Sequence, residues 1–168
     1  RSVYTNILNL DIRGQGGSTI TQQFVKNALL TRDKYYTRKL KEIILSIELE
    51  ARFSKDEILQ LYLNEIPYGR NTYGAEAASL TYFAKPAKDL NLAESAYLAG
   101  IPQSPTYYNP SGPNRDALDR RKDIILEAMR AQGYITEEQM NEAKNTKVVF
   151  QTIKTAIKAP HFVLYVED

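Results

Sequence analysis

The sequence predicts a mainly α, multi-helix domain with long functional loops. Three observations carry this. Apolar residues recur at helical spacing through most of the 168 residues. Four signatures of the form Ser/Thr/Asn-x-x-Glu/Gln stand where such runs begin. Proline and glycine cluster between the runs and not inside them. With 43% hydrophobic and 25% charged residues, the chain can bury a core, and its length fits one domain.

The elements follow in order. Thr19–Leu30 reads as the first helix, with Ser18 or Thr19 as its cap and Thr19-x-x-Gln22 as a capping box. Its Ile20, Phe24 and Ala28 share a side that can pack inward. A longer helix over about 35–53 carries Leu40, Ile43, Ile44, Ile47 and Ala51 at core spacing. Ser54-x-x-Glu57 opens a third, whose Ile58, Leu59, Tyr62 and Leu63 are expected to bury two adjacent stripes. Pro67, Gly69 and Gly74 then break the chain. Helices near 75–83, 92–99 and 115–132 follow. Asn91-x-x-Glu94 caps the second of these, which Gly100 and Pro102 stop, and Gly133 stops the third. Thr136-x-x-Gln139 caps a short helix to about 145, and Lys147–Thr152 reads as a strand. The loops at 11–18, 64–74 and 101–114 are the places to look for function.

Bulk composition narrows the chemistry. There is no cysteine, which removes thiol catalysis, disulfides and Cys-ligated zinc. No segment approaches the ~20 apolar residues of a membrane span, and no signal peptide is visible. The chain opens on Arg1-Ser2-Val3-Tyr4, which reads as a piece of something longer. A net charge of +2 names no partner. Its distribution says more. Residues 13–41 hold Arg13, Lys26, Arg32, Lys34, Arg38, Lys39 and Lys41 against one acid, Asp33. That excess favours an anionic ligand such as phosphate, although a solvated helix face would look the same.

Two constellations could carry chemistry. In Gly14-Gln15-Gly16-Gly17-Ser18-Thr19, glycines precede a helix start whose free N–H groups and partial positive charge suit an anion. Thr19, Gln22 and Lys26 then fall on one stripe, with Gln23 and Asn27 beside it. An ordinary capped helix with solvated polar residues fits equally. A P-loop is excluded, because Lys26 lies nine residues past Gly17 and not directly after it. The second constellation is Arg38 and Glu42, four apart on the long helix. The plain reading is a surface ion pair worth about 0.3–0.5 kcal/mol. The alternatives are a carboxylate that holds a divalent cation, or one that orients cations around an anion. Glu48 and Glu50 are expected to face solvent. His161, the single histidine, is rejected as a catalytic base.

Taken together and in order, these segments resemble a known family. Gly16-Gly17-Ser18-Thr19-Ile20-Thr21-Gln22-Gln23 with Lys26-Asn27 is similar to the second motif of the peptidoglycan glycosyltransferase domain of class A penicillin-binding proteins and monofunctional murein polymerases. Arg38-Lys39-x-x-Glu42 resembles the third motif, and Lys55-x-x-Ile58-Leu59-x-x-Tyr62-Leu63-Asn64 with Gly69 the fourth. The resemblance implies a lysozyme-like α fold and polymerisation of lipid II with release of undecaprenyl pyrophosphate. It implies that Lys26 and Lys39 contact donor phosphates, with Arg38 in support, and that Lys34 is a substrate-binding residue where the family tends to have a basic one. Ser18, Thr19, Gln23 and Asn27 are implied as substrate-binding. Glu42 is implied as the catalytic glutamate of the third motif, which binds Mg²⁺ or Mn²⁺ at the pyrophosphate or organises the basic residues. A lysozyme-type hydrolase would share the fold but needs no phosphate cluster, and no nucleic acid is expected as partner. The implied partners are lipid II, the growing glycan strand, a phosphoglycolipid inhibitor of the moenomycin type, and a membrane reached through a missing N-terminal anchor. The implied place is the bacterial cell envelope, on the outer face of the cytoplasmic membrane.

One departure limits the resemblance. The family's first motif, Glu-Asp-x-x-Phe-x-x-His-x-Gly, has no counterpart in this sequence and is expected upstream. Its glutamate is the general base, and such help is typically worth ~10²–10⁴-fold. The isolated chain is therefore expected to be inactive or nearly so, and a purely lipid II- or glycan-binding module is the alternative. Ala159-Pro160-His161-Phe162-Val163 resembles the start of a linker toward a transpeptidase domain. The expected division is a glycosyltransferase domain over 1–158 and a linker over 159–168.

Overall fold

In the computed structural model of the chain, which describes residues 18–30 and 35–151 (the side chains of Tyr35 and Tyr36 excepted), four helices begin at the reciprocal caps spelled out in the sequence. Thr19, Ser54, Asn91 and Thr136 each accept from the backbone N–H three residues on. Gln22, Glu57, Glu94 and Gln139 each reach back to the cap's own N–H. Each pair satisfies two donors that a helix start otherwise leaves orphaned. The described helices are α1 (Ile20–Ala28), α2 (Tyr35–Arg52), α3 (Lys55–Glu65), α4 (Ala75–Phe83), α5 (Leu92–Gly100), α6 (Arg115–Ala131) and α7 (Glu137–Asn145). Lys34, His161 and the expected boundary at 158/159 lie outside the described residues.

The core of α4–α7 is aromatic. Ile66, Tyr68, Ala78, Tyr82, Phe83, Tyr97, Leu98, Ile101 and Leu118 form one buried cluster, and Ala93, Ala96, Leu126, Met140 and Ala143 a second. The loop between α3 and α4 is stitched to this core. Tyr82 donates its hydroxyl to the Tyr68 carbonyl at 2.6 Å. Gly74, at φ +84°, closes the loop so tightly that a Cβ there would meet the Asn64 carbonyl oxygen at 2.7 Å. Only glycine fits such a position without strain.

A charged and aromatic group joins α5 to α6. Tyr97 donates to Asp119 at 2.7 Å, and Arg115 donates to the same oxygen at 2.9 Å. The Arg115 guanidinium stacks 4.2 Å from the Phe150 ring centroid. Burial, then the bond to Asp119, pushes the Tyr97 phenol up to about 12, so it stays a donor at neutral pH. Burial pushes the Asp119 carboxyl up, but the bonds from Tyr97 and Arg115 outweigh it and hold the carboxyl below its usual range.

The structure corrects four expectations. The segment read as a strand over 147–152 has no ladder partner among the described residues. Phe150 instead packs on Phe83 and Tyr97 at 5.1 and 5.2 Å, and the Gln151 N–H donates to the Tyr82 carbonyl. Residues 147–151 lie on helices instead of pairing in a sheet. Gly100 and Pro102 do not stop α5 outright but tighten it into a 3₁₀ turn, Ile101–Gln103. On α1, Phe24 is buried as expected, but Ile20 and Ala28 are exposed and Thr21, Gln22 and Val25 are buried in their place.

The fourth correction concerns α2 and α3. Leu40, Ile44 and Ile47 are 61%, 56% and 65% exposed, while Glu42 and Ser46 are buried. The described neighbours of α2 are α1 and, more sparsely, α3. The side-chain ties to α1 lie on the Glu42 side, through Glu50 and Lys39, and the apolar stripe is left exposed. Leu59 and Leu63 on α3 are also exposed, and only Ile58 is fully buried there. Periodicity found the stripes but not which one faces a neighbour.

The difference is measurable by urea unfolding of the chain. Ile47→Ala should change the unfolding free energy by less than about 0.5 kcal/mol. The same kind of truncation at Ile58, 4% exposed, should cost about 2–5 kcal/mol. Equal losses at the two positions would put the α2 stripe in a core.

Candidate functional site

The helices α1, α2 and α3 converge on the capped start of α1. Spacings of three and four residues on α2 place Lys39 and Arg38 on the same face as Glu42. Lys39 Nζ is 2.9 Å from Glu42 Oε2, and Arg38 Nε is 3.5 Å from Oε1. Lys39 Nζ also lies 3.3 Å from Ser18 Oγ, the residue just before the cap. The Glu42 side chain is 5% exposed, whereas both cations are 31% exposed. An unpaired carboxylate at that depth would cost several kcal/mol. Two cations against one carboxylate offset that cost and leave one net positive charge facing outward. The expected i,i+4 pair of Arg38 and Glu42 is therefore present but is not a surface pair.

Further bonds hold α1 in place over this group. Thr21 Oγ1 donates to Glu50 at 2.7 Å, tying α1 to α2. Gln23 Nε2 donates to the Ser18 carbonyl at 3.4 Å, and Tyr62 on α3 donates to Gln23 Oε1 at 3.3 Å. Glu48 pairs with Arg52 on the open side of α2. Glu50, though exposed, has a partner in Thr21 and is not simply a solvated acid. Neither the Thr21–Glu50 nor the Gln23–Tyr62 contact had a signal in the sequence, because the partners are 29 and 39 residues apart and no short motif joins them.

The other candidates are placed as follows. Thr19 spends its hydroxyl on the cap, accepting from the Gln22 N–H at 3.2 Å, so Gln22 is buried and belongs to the cap. Lys26 and Asn27 are exposed in the last turn of α1, roughly 10 Å along the axis from Thr19 at 1.5 Å per residue. Lys26 makes no ion pair among the described residues. The structure thus joins Ser18, Gln23, Arg38, Lys39 and Glu42 in one bonded group, with Lys26 and Asn27 further along the same helix. Among the described residues, no three His, Asp or Glu side chains are grouped to hold a metal ion.

Such an arrangement can attract and hold an anion. Its cations are pre-positioned by a buried carboxylate and a hydroxyl, next to the positive end of a helix. Glu42 itself has one oxygen facing each cation.

Comparison with known proteins places the chain in a family. The sequence model of the transglycosylase family matches residues 1–130. Penicillin-binding protein 1F of Bacillus subtilis is 42% identical over 167 residues, covering 99% of this chain and 23% of the relative. Penicillin-binding protein 1A of Clostridium perfringens is 50% identical over 137 residues, covering 78% of this chain and 20% of the relative. The crystal structure of penicillin-binding protein 1A from Haemophilus influenzae matches with a TM-score of 0.56 at 25% identity, over 88% of this chain and 18% of that one. The chain spans about a fifth of the length of these relatives. With its mainly α, lysozyme-like fold, the chain belongs to the transglycosylase family, as the glycosyltransferase domain found in class A penicillin-binding proteins.

Proposed function

We propose that the Lys39–Glu42 group holds the pyrophosphate end of a lipid-linked donor, and that the intact parent polymerises peptidoglycan glycan strands from lipid II. One observation carries this reading. A buried carboxylate and Ser18 together hold Lys39 at the start of a capped helix, with Arg38 beside it. In the inverting transfer, the 4-hydroxyl of lipid II attacks the anomeric carbon of the growing strand. The bond to undecaprenyl pyrophosphate breaks, and negative charge grows on the leaving oxygens. Cations already in place stabilise that charge without reorganising at the moment of reaction.

The remaining residues take supporting parts. Lys26, in the last turn of α1, holds donor phosphates, and Lys34 is carried over as a further substrate-binding residue. Ser18, Gln23 and Asn27 bond sugar or phosphate oxygens, and Thr19 contributes by capping the helix. Glu42 organises the cations. It is also the carboxylate that a Mg²⁺ or Mn²⁺ ion would use, because Mg²⁺ is commonly held by one or two carboxylates plus substrate phosphates. Such an ion would add neutralising charge at the pyrophosphate.

The base that activates the acceptor is assigned outside this group. Both Glu42 oxygens face cations, and the first-motif glutamate that the family uses as its base has no counterpart in this sequence. The chain alone is therefore read as holding the donor without turning it over. The same observation supports the second reading, a lipid II- or glycan-binding module without catalysis in the parent. A phosphoglycolipid of the moenomycin type presents the same phosphate chemistry and should compete for the site. The lipid places the parent in the bacterial cell envelope, on the outer face of the cytoplasmic membrane. No described helix is long and apolar enough to cross a membrane.

Labelled lipid II tests both readings. The intact parent should polymerise it, and Glu42→Gln should lower the rate about 10²–10³-fold with an unchanged circular dichroism spectrum. The chain as it stands should show no turnover. A parent without activity would favour the binding module, and a Glu42→Gln parent at full rate would remove Glu42 from the site. Lys26→Ala should weaken binding of a moenomycin-type phosphoglycolipid about tenfold, the scale of one lost bond to a charged group. Unchanged affinity would return Lys26 to an ordinary surface lysine.

A further inference from the structure

Five residues form a line of hydrogen bonds across three helices, passing through the backbone carbonyl of Ser18. Tyr62 on α3 donates to Gln23 on α1, and Gln23 donates to the Ser18 carbonyl. Lys39 on α2 donates to Ser18 Oγ and to Glu42. The line runs from a phenol more than one helix away to the ammonium at the centre of the anion site.

The direction of each bond matters. A glutamine amide can be turned end for end, and its partners decide which end points where. A hydroxyl that donates to Gln23 Oε1 requires the oxygen end to face α3. The NH₂ end is then left for the Ser18 carbonyl, which can only accept. Ser18 is not inside the helix, so its position depends on such side-chain bonds and on the cap at Thr19. Its hydroxyl in turn sets where Lys39 Nζ rests when Glu42 pulls from the other side. Burial pushes the Tyr62 phenol up, so it keeps the proton that it donates throughout the neutral range.

Resting on the donor-site reading above, we propose that Tyr62 is a positioning residue of the anion site. Its hydroxyl fixes the Gln23 amide, which fixes Ser18, which sets the place of Lys39. The Tyr62 ring has a separate job, since it packs against the core cluster around Tyr68 and Tyr82. The two jobs are separable, because phenylalanine keeps the ring and loses the donor.

The experiment is a double-mutant cycle on the chain, with a fluorescent moenomycin-type phosphoglycolipid as the probe and melting temperature followed in parallel. Tyr62→Phe should weaken binding about 3–10-fold, the scale of one hydrogen bond, at a melting temperature close to wild type. Gln23→Ala should do the same. Adding Tyr62→Phe to Gln23→Ala should then change affinity less than twofold, because the phenol has nothing left to orient. A merely structural tyrosine would not show this dependence on Gln23. If wild type binds the probe and Tyr62→Phe binds it equally well, or if the two losses multiply, the positioning role is wrong while the donor site stands. If wild type does not bind the probe, the donor-site reading fails and takes this inference with it.

Discussion

The site depends on one buried carboxylate. Glu42 sits where α2 passes under the start of α1, almost without solvent, and it is stable there only because Lys39 and Arg38 face its two oxygens. The constraint works in both directions. The carboxylate needs the cations to be buried, and the cations are held in one geometry by the carboxylate. Lysine and arginine side chains left to themselves lose much rotamer freedom on binding a ligand. Here part of that ordering has taken place before any ligand arrives, which is what a site for developing negative charge requires.

The rest of the described fold supplies a platform for this junction. The α4–α7 half is held by aromatic packing, by the Tyr97–Asp119–Arg115 group and by Phe150 laid across Phe83 and Tyr97. The α3–α4 loop, closed by Gly74 and the Tyr82–Tyr68 bond, fixes where α3 ends. Tyr62 on α3 then reaches the site through Gln23. The α1–α3 half is held differently, with Phe24, Val25 and Ile58 as its buried apolar residues and with polar ties at Thr21–Glu50 and Ser18–Lys39. Its far side, with Leu40, Ile44 and Ile47 exposed, meets no described element.

Local chemistry was readable in the sequence and distant pairing was not. Every capping box was legible because its two partners are three residues apart and act within one turn. Of the seven described α-helices, four were legible from their capping boxes, and the other three were read from apolar spacing and from the glycines and prolines between the runs. The Arg38–Glu42 pair was legible as an i,i+4 spacing, but its burial was not, since exposure depends on where α1 comes to lie. The burial of α2 was misjudged because Leu40, Ile44 and Ile47 look like a core face to any reading of period alone. What is buried in their place, Glu42 and Ser46, is polar, and a buried carboxylate can be foreseen only with its partners in view. Tyr62 was legible as a packing residue and illegible as a donor, because Gln23 stands 39 positions away. The 147–152 segment read as a strand, yet the partners of its described residues are helices: the rings of Phe83 and Tyr97 and the Tyr82 carbonyl.

The central claim is that Glu42 and Lys39 act as one unit toward an anion. Binding of undecaprenyl pyrophosphate to the chain, measured for wild type, Glu42→Gln, Lys39→Met and the double variant, tests it directly. Each single change should weaken binding, and the second change should add little once the first is made, because either one dissolves the unit. Losses that multiply, or a Glu42→Gln chain that binds as wild type does while Lys39→Met does not, would contradict the account.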